Sequence, residues 1–413
     1  MAKLSSIQWD VIIIGGGPAG FFSGIRCAEL NPELKVLIIE KAQQTLGKVL
    51  ISGGGRCNVT HACFDPAQLI TYYPRGGSAL RGAFTRFQPE DTIRWFEKRG
   101  VRLKTESDGR MFPVTDSSAT IADCLRDSAK KAGITVQTGT SLLKVESLSE
   151  NGFRLEVRND AQVFHLQTKK ILLAAGSDPK TRDMIKSLGH SIEEPVPSLF
   201  TFNISDKRLE GLSGVSVESV TVKMDSLTQR GPLLITHWGV SGPAVLRLSA
   251  WGARALFEKK YRAVLIVNWL GDTSFDKALE VLQRHKDWHE NTRKKVSADA
   301  AFTQLPARLW KQLAYFVGEK NWGDITKTEI RKLAEELTMG NFEITGKGQF
   351  KEEFVTCGGV RLDEVNFKTM QSRVVENLFF AGEVLDIDGI TGGFNFQSSW
   401  TTGWLAGTAL ASI

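Results

Sequence analysis

Cysteine is scarce in this chain, with five residues among 413. Their odd number and scattered positions argue against a disulfide framework and favour a reducing compartment, so we expect a cytoplasmic protein. The sequence also lacks an apolar run of the ~18 residues that a membrane helix needs. The apolar stretch near the start has no basic n-region, and we interpret it as a core strand rather than a signal peptide. We therefore expect no membrane association.

Several catalytic signatures are missing as well. The cysteines and histidines show no metal-ligand spacing, and there is no Gly-x-Ser-x-Gly elbow or Walker lysine loop. Lys and Arg number 52 against 46 Asp and Glu, a net charge of +6. Spread over this length, and without an Arg/Lys-rich run, such an excess does not favour RNA as a partner. RNA stays an alternative partner, and the oligomeric state is left open.

The chain opens with a pattern typical of a dinucleotide-binding unit. The apolar strand Trp9–Ile14 precedes a glycine turn, a helix is predicted over Pro18–Leu30, and a second strand at Lys35–Ile39 ends at Glu40. A carboxylate at the end of the second strand binds ribose hydroxyls in such units. An acid at this place favours a free 2′-OH, and hence FAD or NAD over NADP.

The glycine turn fits G-x-G-x-x-G through Gly15, Gly17 and Gly20. The first glycine permits the tight turn, the second lets the backbone approach the pyrophosphate, and the third allows close packing of helix and strand. The N-terminus of the following helix offers N–H donors and a partial positive charge to phosphates. Strand, turn, helix, strand and acid together predict a bound dinucleotide.

A second glycine-rich segment spans Gly47–Asn58. Its consecutive glycines let main-chain amides converge on an anion, and Lys48 or Arg56 adds charge. Asn58 can donate and accept hydrogen bonds at the edge of a flavin ring. We interpret this segment as a cofactor contact; the alternative is a flexible surface loop.

The end of the chain complements its beginning. An apolar strand at Leu378–Phe380 leads into Gly382 and Glu383, and Gly392-Gly393 precedes an apolar helix predicted from Asn395 to Ala411. Glu383 can accept hydrogen bonds from ribityl hydroxyls, and Asp386 either shares that task or caps a turn. The helix N-terminus would stabilise negative charge on a reduced flavin. Both ends of the chain are therefore expected to bind one cofactor, FAD.

The middle of the chain differs in composition. Residues 134–174 alternate like antiparallel strands, Glu194-Pro195-Val196-Pro197 marks a boundary, and a serine-capped helix is expected at Ser241-Gly242-Pro243. We predict a discontinuous FAD-binding domain, 1–197 and 344–413, interrupted by an insert at 198–343 that is β-rich over 198–272 and helical over 273–343. The fold class is α/β.

At this point the residues resemble a known family. The run Ser52–Asn58, the stretch Thr236–Ala244 and the closing Phe380–Gln397 are similar to those of bacterial NAD(P)/FAD-dependent oxidoreductases of the aminoacetone-oxidase type. The resemblance covers nearly the whole chain. It implies a Rossmann-like FAD domain of glutathione-reductase type with a β-barrel-like and helical insert. The cofactor contacts that it implies are Gly15, Gly17, Pro18, Ala19, Gly20, Glu40, Lys41, Lys48, Ser52, Gly53, Gly54, Arg56, Cys57, Asn58, Leu142, Ala175, Gly176, Gly382, Glu383, Asp386, Gly393, Phe394 and Asn395.

The catalytic groups stay open, with Cys57 and His61 as candidates. Cys57 and Cys63 are six positions apart, wider than the usual spacing in flavin disulfide reductases. A redox pair is therefore the less favoured interpretation, and Cys57 is expected to be a small packing residue near the flavin. His61 is either an acid or base beside the flavin or an ordinary loop histidine. For His237 a structural role is favoured. Arg110 either holds an anionic substrate or pairs with Asp116.

The predicted activity is hydride transfer between flavin N5 and an organic substrate, by an FAD-dependent oxidoreductase. The resemblance implies amine oxidation or C=C reduction and leaves the choice open. No second G-x-G-x-x-G is present, so NAD(P)H, if it donates electrons, would visit the flavin without its own domain. The alternatives are an RNA-modifying flavoprotein that reduces uridine and a non-catalytic FAD-binding protein.

Overall fold

A computed structural model describes residues 8–148, 152–160, 162–348 and 355–412. The chain divides into two compact units, Met1–Pro195 with Thr356–Ile413, and Val196–Val355. The strands are β1 Gln8–Ile14, β2 Val36–Ile39, β3 Thr60–His61, β4 Leu103–Thr105, β5 Arg110–Pro113, β6 Thr135–Gln137, β7 Thr140–Leu148, β8 Gly152–Asn159, β9 Gln162–Leu173, β10 Ile192–Ser198, β11 Phe202–Asn203, β12 Ser216–Met224, β13 Leu227–Ile235, β14 Gly239–Ser241, β15 Ala263–Asn268, β16 Gly340–Ile344, β17 Gly346–Lys347, β18 Val355–Val360, β19 Val365–Asn366, β20 Gln371–Ser372 and β21 Leu378–Phe380. The α-helices are α1 Pro18–Leu30, α2 Gly47–Gly55, α3 Pro66–Leu69, α4 Gly77–Phe84, α5 Pro89–Glu97, α6 Ser118–Lys131, α7 Pro179–Ser187, α8 Pro243–Trp251, α9 Ala253–Glu258, α10 Phe275–Asp287, α11 Ala307–Leu313, α12 Lys327–Met339 and α13 Phe394–Leu410.

The first unit is built on a mixed sheet whose order is β19-β20-β21-β9-β1-β2-β6. Its five strands from β21 to β6 run parallel, and the four residues of β2 are all buried. A strand that is buried on both faces has apolar residues at successive positions. This is why β1 and β2 consist largely of Ile, Val and Leu. The expected Rossmann-like α/β unit is confirmed.

The two terminal helices of this unit, α1 and α13, pack closely. A Cβ at Gly403 would lie 3.0 Å from the carbonyl oxygen of Ala19, and a Cβ at Gly407 would overlap the carbonyl of Ser23. Only glycine at both positions lets the two backbones approach this far. Arg26 and Thr408, 382 residues apart in sequence, consequently form a 3.1 Å hydrogen bond.

Two expectations about the first unit need correction. The segment at 134–137 was expected to be antiparallel, but β6 pairs parallel with β2. The segments at 164–166 and 169–174 were expected as separate strands, whereas β9 runs continuously through both. Residues 162–168 of β9 pair antiparallel with β8, and residues 171–173 pair parallel with β21. On its other side, β9 pairs parallel with β1 over residues 167–173. Alternation of residues gives the face of a strand but not the direction of its partner.

The second unit is a seven-stranded antiparallel sheet with helices α8–α12. The sheet order is β16-β15-β12-β13-β14-β11-β17, and it is this sheet that corresponds to the part expected to be β-barrel-like. One buried cluster joins sheet residues such as Val222 and Phe342 to helix residues such as Trp310 and Leu333. The β-rich and helical parts of the insert therefore share a single hydrophobic core.

The insert also departs from expectation at two places. Ser241 belongs to β14, and Gly242 rather than a serine is the N-cap of α8, with no side-chain hydrogen bond. The sequence placed the return to the first domain at residue 344, but β16 and β17 continue the sheet of the second unit through Lys347. Among the residues that the structure describes, no helix has the length and hydropathy of a membrane span.

Candidate functional site

Four parallel strands of the first unit end at one edge of the sheet. In the order β21, β9, β1, β2, their last residues are followed by Ala381, Ala174, Gly15 and Glu40. In open α/β sheets, ligands bind at the carboxyl ends of the strands. Most of the residues predicted as cofactor contacts follow these four strands, and this edge is therefore the candidate site.

The glycine turn after β1 has the steric features that a pyrophosphate requires. Gly15 has φ +112°, and a Cβ there would overlap the carbonyl of Ala174, while a Cβ at Gly20 would overlap the carbonyl of Gly15. Gly17, by contrast, has no neighbour within 4 Å of a Cβ position. It is the N-cap of α1 and makes no side-chain capping bond, with Pro18 at the first helical position. The first and third glycines are needed for packing, and the second faces open space that an anion can occupy.

Glu40 follows β2 directly beside this turn. Its Oε2 accepts a hydrogen bond from the Gly16 amide (2.7 Å), and its Oε1 accepts from the Ala42 amide (2.8 Å). The carboxylate is thus fixed between the glycine turn and the start of the next segment. The next residue, Lys41, reaches Asp178 at 2.6 Å, the N-cap residue of α7.

The second glycine-rich segment is partly helical rather than a loop throughout. Leu46 begins it in the left-handed region and donates its N–H to the carbonyl of Gly16 (2.9 Å). Helix α2 is interrupted at Ser52, Gly53 and Gly54, where the backbone is not helical. Cβ positions at Gly54 and Gly55 meet nothing within 4 Å. The glycines therefore lie against open space, as a cofactor contact requires.

Arg56 in this segment is already engaged by protein groups. Its guanidinium pairs with Glu106 (2.6 Å) and lies 4.0 Å from the centre of the Phe112 ring. A more distant pair with Asp116 measures 3.6 Å. The Glu106 hydrogen bond raises the pKa of Arg56 further. The structure thus gives Arg56 protein partners, and its predicted cofactor contact remains a prediction.

The turn after β21 completes the edge. Gly382 donates its N–H to Thr402 Oγ1 (3.0 Å), and a Cβ there would lie 2.8 Å from the Cβ of Ala19. Glu383 forms an ion pair with Lys48, 335 residues earlier, and Glu383 Oε1 accepts from the Thr356 amide at 3.4 Å. Ala175 and Gly176 follow β9, and a Cβ at Gly176 would lie 3.5 Å from Glu383 Oε2. The sequence predicted these residues singly; the structure brings them together.

The start of α13 is held by the second glycine-rich segment. Gly393 is its N-cap with φ +92°, and a Cβ there would lie 2.6 Å from the carbonyl of Thr60. With the Asn58 amide oriented to satisfy both neighbours, its oxygen accepts from the Gly393 N–H (3.0 Å) and its nitrogen donates to Thr60 (3.0 Å). Asn395 forms two reciprocal 2.8 Å hydrogen bonds with the backbone of Gly389. The helix begins at Phe394, one residue before the predicted start.

Two predicted contacts lie apart from these bonds. Asp386 donates its backbone N–H to the carbonyl of Val360 (3.1 Å). Leu142 lies half-buried in β7, opposite Val157 and next to an irregularity in the pairing of β7 with β8. The proposed roles of these two residues remain predictions.

The structure does not favour Cys57 as a reactive thiol. It is fully buried, and burial raises the pKa of Cys57 to about 12. The thiolate is the reactive form, so a buried thiol with a raised pKa is inert at neutral pH. Cys57 and Cys63 are both free cysteines here, which agrees with the packing alternative.

His61 contacts the start of α13 but does not direct a nitrogen outward. Its Nε2 donates to the carbonyl of Asp108 (3.1 Å), its Nδ1 is buried, and its ring stacks on Phe394 with centroids 4.7 Å apart. A histidine that acts as a general acid or base must have a ring nitrogen within hydrogen-bonding distance of the substrate. The ring therefore supports Phe394, and the structure gives no support to proton transfer by His61.

Sequence reasoning missed the residues that hold the loop before α13. Tyr72 stacks on Phe394 at 4.5 Å, and the Tyr73 hydroxyl donates to the carbonyl of Phe394 (2.7 Å). Arg75 forms a bidentate ion pair with Asp388, which is fully buried. The Asp-Gly pair at 388–389 was a local signal of a turn, but nothing in the sequence pointed to its partner at residue 75.

The remaining candidates are peripheral. His237 is exposed in the second unit. Arg110 pairs with Glu106 (2.9 Å) and Asp108 (2.7 Å), whereas Asp116 pairs with Lys104 and Arg56. The expectation that Arg110 pairs with Asp116 was therefore wrong, because the turn at 106–110 supplies closer carboxylates. Among the described residues, no group of three or more His, Cys, Asp and Glu side chains is arranged for a metal.

A family model described as "HI0933-like protein Rossmann domain" matches residues 9–409. The chain belongs to the HI0933-like family. As its family and its curated relatives indicate, this chain is an FAD-dependent oxidoreductase. The open Gly17, the uncapped start of α1 and the glycines against open space fit FAD, and the expectation of FAD is confirmed at the level of the family.

Two curated relatives and one solved structure extend along nearly the whole chain. A ribosomal RNA dihydrouridine synthase of Escherichia coli (strain K12) is 28% identical over 410 residues, 96% of each chain. A 3-dehydro-bile acid delta(4,6)-reductase of Clostridium scindens is 26% identical, over 97% of this chain and 98% of its own. The 3-ketosteroid-delta4-(5alpha)-dehydrogenase of Rhodococcus jostii RHA1 matches with a TM-score of 0.55 at 14% identity, over 99% of this chain and 98% of its own. That last likeness concerns the fold.

Proposed function

We propose that this chain uses FAD to reduce a carbon–carbon double bond conjugated to a carbonyl group. The observation that carries the proposal is the pair of curated relatives. Their names state acceptors as different as a uridine in RNA and a bile acid, yet both name the saturation of a C=C bond. In uridine and in a 3-oxo-Δ4 steroid that bond is conjugated to a carbonyl, which makes its far carbon electrophilic. The shared chemistry is therefore hydride addition to an enone-like group.

In this proposal, different residues at the carboxyl edge of the sheet bind different parts of FAD. Gly15–Gly20 with the start of α1 bind the pyrophosphate, Glu40 and Lys41 bind the AMP ribose, and Leu142 borders the adenine. Lys48 and Ser52–Asn58 border the flavin. FAD, when bound, supplies hydride transfer at its N5 atom.

The closing segment is proposed to support the charge that develops on reduction. Ala175, Gly176, Gly382, Glu383 and Asp386 surround the ribityl chain. The residues Gly393, Phe394 and Asn395 present the N-terminus of a 17-residue helix to the pyrimidine side. A helix N-terminus carries a partial positive charge, and such a dipole stabilises a developing anion without reorganising. NAD(P)H is proposed as the electron donor that visits this site.

The test separates the two half-reactions. Anaerobic protein is first reduced with NADPH or NADH, or with dithionite if neither bleaches the flavin band. It is then mixed with androst-4-ene-3,17-dione, with 5α-androstane-3,17-dione as the saturated control, or with uridine. Reoxidation of the flavin by the enone and not by the saturated ketone is the expected result. If no conjugated acceptor reoxidises the flavin while aminoacetone reduces the oxidised form, amine oxidation replaces the proposal.

Uridine in RNA is the second candidate substrate, because of the dihydrouridine synthase among the relatives. The charges of the insert add little to it. Lys295 pairs with Glu319, and Lys320 pairs with Glu329 at 2.6 Å. Arg331 lies 3.5 Å from Glu335. An affinity for ribosomal RNA that falls steeply with salt, together with loss of a uridine C=C bond, would move this candidate ahead.

A further inference from the structure

Two lysine–carboxylate ion pairs connect segments that follow different strands of the parallel sheet. Lys41 comes after β2 and pairs with Asp178, which comes after β9, at 2.6 Å. Lys48 lies on α2, also after β2, and pairs with Glu383, which comes after β21. These two contacts are called the bridging ion pairs below.

The strand order determines what the bridging ion pairs cross. Between β2 and β9 lies β1, and between β2 and β21 lie both β1 and β9. With strands ~4.8 Å apart, β2 and β21 are separated by about 14 Å. The Lys41–Asp178 pair therefore joins segments from either side of β1, and the Lys48–Glu383 pair joins segments from either side of β1 and β9.

Local contacts agree with this path. The start of the Lys48 segment is fixed at the glycine turn by the hydrogen bond from Leu46 to Gly16 (2.9 Å). At the other end, Glu383 lies beside Gly176, the turn after β9, and Gly382 lies against Ala19. Both pairs consequently join segments that flank the turn at which a dinucleotide pyrophosphate is bound in such folds.

We propose that the bridging ion pairs form a clasp across the FAD path, which must open for the cofactor to enter or leave and which closes over it. The inference rests on FAD binding and not on the reaction proposed above. The clasp slows exchange in both directions, whereas a simple contact with bound FAD slows only its release.

The clasp is tested by stopped-flow association of FAD with the apoprotein and by fluorescence of released flavin. In Lys48→Met both the association and the dissociation rate constants are expected to rise by about 1.4-fold to fivefold, the range for breaking an exposed ion pair. Lys41→Met is expected to act in the same direction, and the double variant to combine both effects. Because salt screens exposed charges, raising it accelerates FAD release more in the wild type than in the double variant.

A matched control is Lys169→Met. Lys169 is as exposed as Lys48 and Lys41 and pairs with Asp10 at 2.8 Å, but at the amino end of β1, away from the carboxyl edge of the sheet. The Lys169→Met substitution removes the same charge and the same kind of ion pair, but the association and dissociation rate constants of FAD should stay unchanged. The charge swap Lys48→Glu with Glu383→Lys re-forms the pair and should restore slow exchange.

Two results would overturn the clasp. One is exchange in Lys48→Met and in the double variant that equals the wild type. The other is a faster release alone, with unchanged association and no rescue by the charge swap, which indicates that Lys48 or Glu383 only contacts bound FAD. A thermal unfolding curve of each apoprotein verifies that it is folded. The exchange measurements contain neither substrate nor NAD(P)H. Their outcome is therefore independent of whether the proposed reaction is correct.

Discussion

Arg75 and Asp388 stand 313 residues apart in sequence and form a bidentate ion pair whose carboxylate is fully buried. Burial lowers the pKa of Arg75, but the hydrogen bonds and charge of Asp388 outweigh this effect and raise it overall. Asp388 precedes the glycines at the start of α13, and Arg75 belongs to the segment whose tyrosines contact Phe394. The ion pair therefore fixes the loop that leads to the start of α13.

Replacing Arg75 by Met should destabilise the first unit strongly. Removing one partner of a buried ion pair leaves an uncompensated charge, which costs about 3–5 kcal/mol in free energy of unfolding. Denaturant titration of the apoprotein measures the loss. Arg94→Met is the control, because its pairs with Glu90 and Asp91 are exposed and should contribute less than about 1 kcal/mol. Equal effects of the two substitutions would show that Asp388 is not an isolated buried charge in the variant.

The glycine turn offers a pair of substitutions that separates folding from cofactor binding. Gly17→Ala meets nothing within 4 Å, and the residue has φ −90°, so the apoprotein should keep its melting temperature. FAD affinity should nevertheless fall about tenfold or more, because the methyl group occupies the place of the pyrophosphate. Gly20→Ala overlaps the Gly15 carbonyl and should lose both stability and FAD. Wild-type FAD affinity in Gly17→Ala, measured by fluorescence titration, would contradict the assignment of the turn.

Thiol labelling checks the environment of Cys57. Its pKa is raised to about 12 by burial, so the folded protein should leave this thiol unmodified by iodoacetamide at neutral pH. Cys124, which is half-buried, should be alkylated first, and Cys57 should follow only on unfolding. Peptide mass spectrometry identifies the modified residue. Cys57→Ser should retain flavin reduction by the donor that reduces the wild type; a complete loss would restore a catalytic role for the thiol.

Asp178 links the site to pH. Burial raises the pKa of its carboxyl, but the hydrogen bonds from Lys41 and Thr181 lower it more, so the net shift is below the ordinary value of 3.8. A carboxyl whose folded-state pKa is lowered contributes stability above its unfolded pKa and loses it as pH falls through the folded value. Asp178→Ala should therefore cost about 1–2 kcal/mol near pH 7, the scale of a lost N-cap, and less as pH falls below about 4.

Asp178→Asn is the comparison for that measurement. Asparagine is a good N-cap, so it keeps the capping bond to Thr181 and removes the charge that pairs with Lys41. The loss in unfolding free energy should be well below that of the alanine variant. Denaturant titrations between pH 3 and pH 7 follow both. A loss in Asp178→Ala that does not shrink at low pH would mean that the charged carboxylate has no part in it.

Local patterns predicted the local parts of the fold. The bounds of α1, Pro18–Leu30, are confirmed, because proline at its first turn and Asn31-Pro32 after it are strong signals. The i, i+3, i+7 spacing of Ile330, Leu333 and Leu337 is typical of one face of a helix, and all three side chains are buried on α12. The glycine spacing and Glu40 correctly indicated the edge of the sheet where the candidate site lies. Both signals depend on short segments of backbone directly after β1 and β2.

Long-range pairing could not be predicted in the same way. The parallel direction of β6 depends on β2, and the partner of Asp388 lies 313 residues away. Serine is a favoured N-cap residue, but Ser241 is the last residue of β14, and Gly242 is the N-cap of α8. In each case tertiary contacts decide among local options that are close in energy.

The single core of the insert has a consequence for how this region can be engineered or exchanged between relatives. Trp310 and Leu333 on the helices share one buried cluster with Val222 and Phe342 on the sheet. A truncation near residue 272 would strip the strands of their cover and leave large aromatic surfaces in water. Chimeras should therefore transplant the whole second unit, Val196–Val355, because neither its strands nor its helices carry enough interior to stand alone.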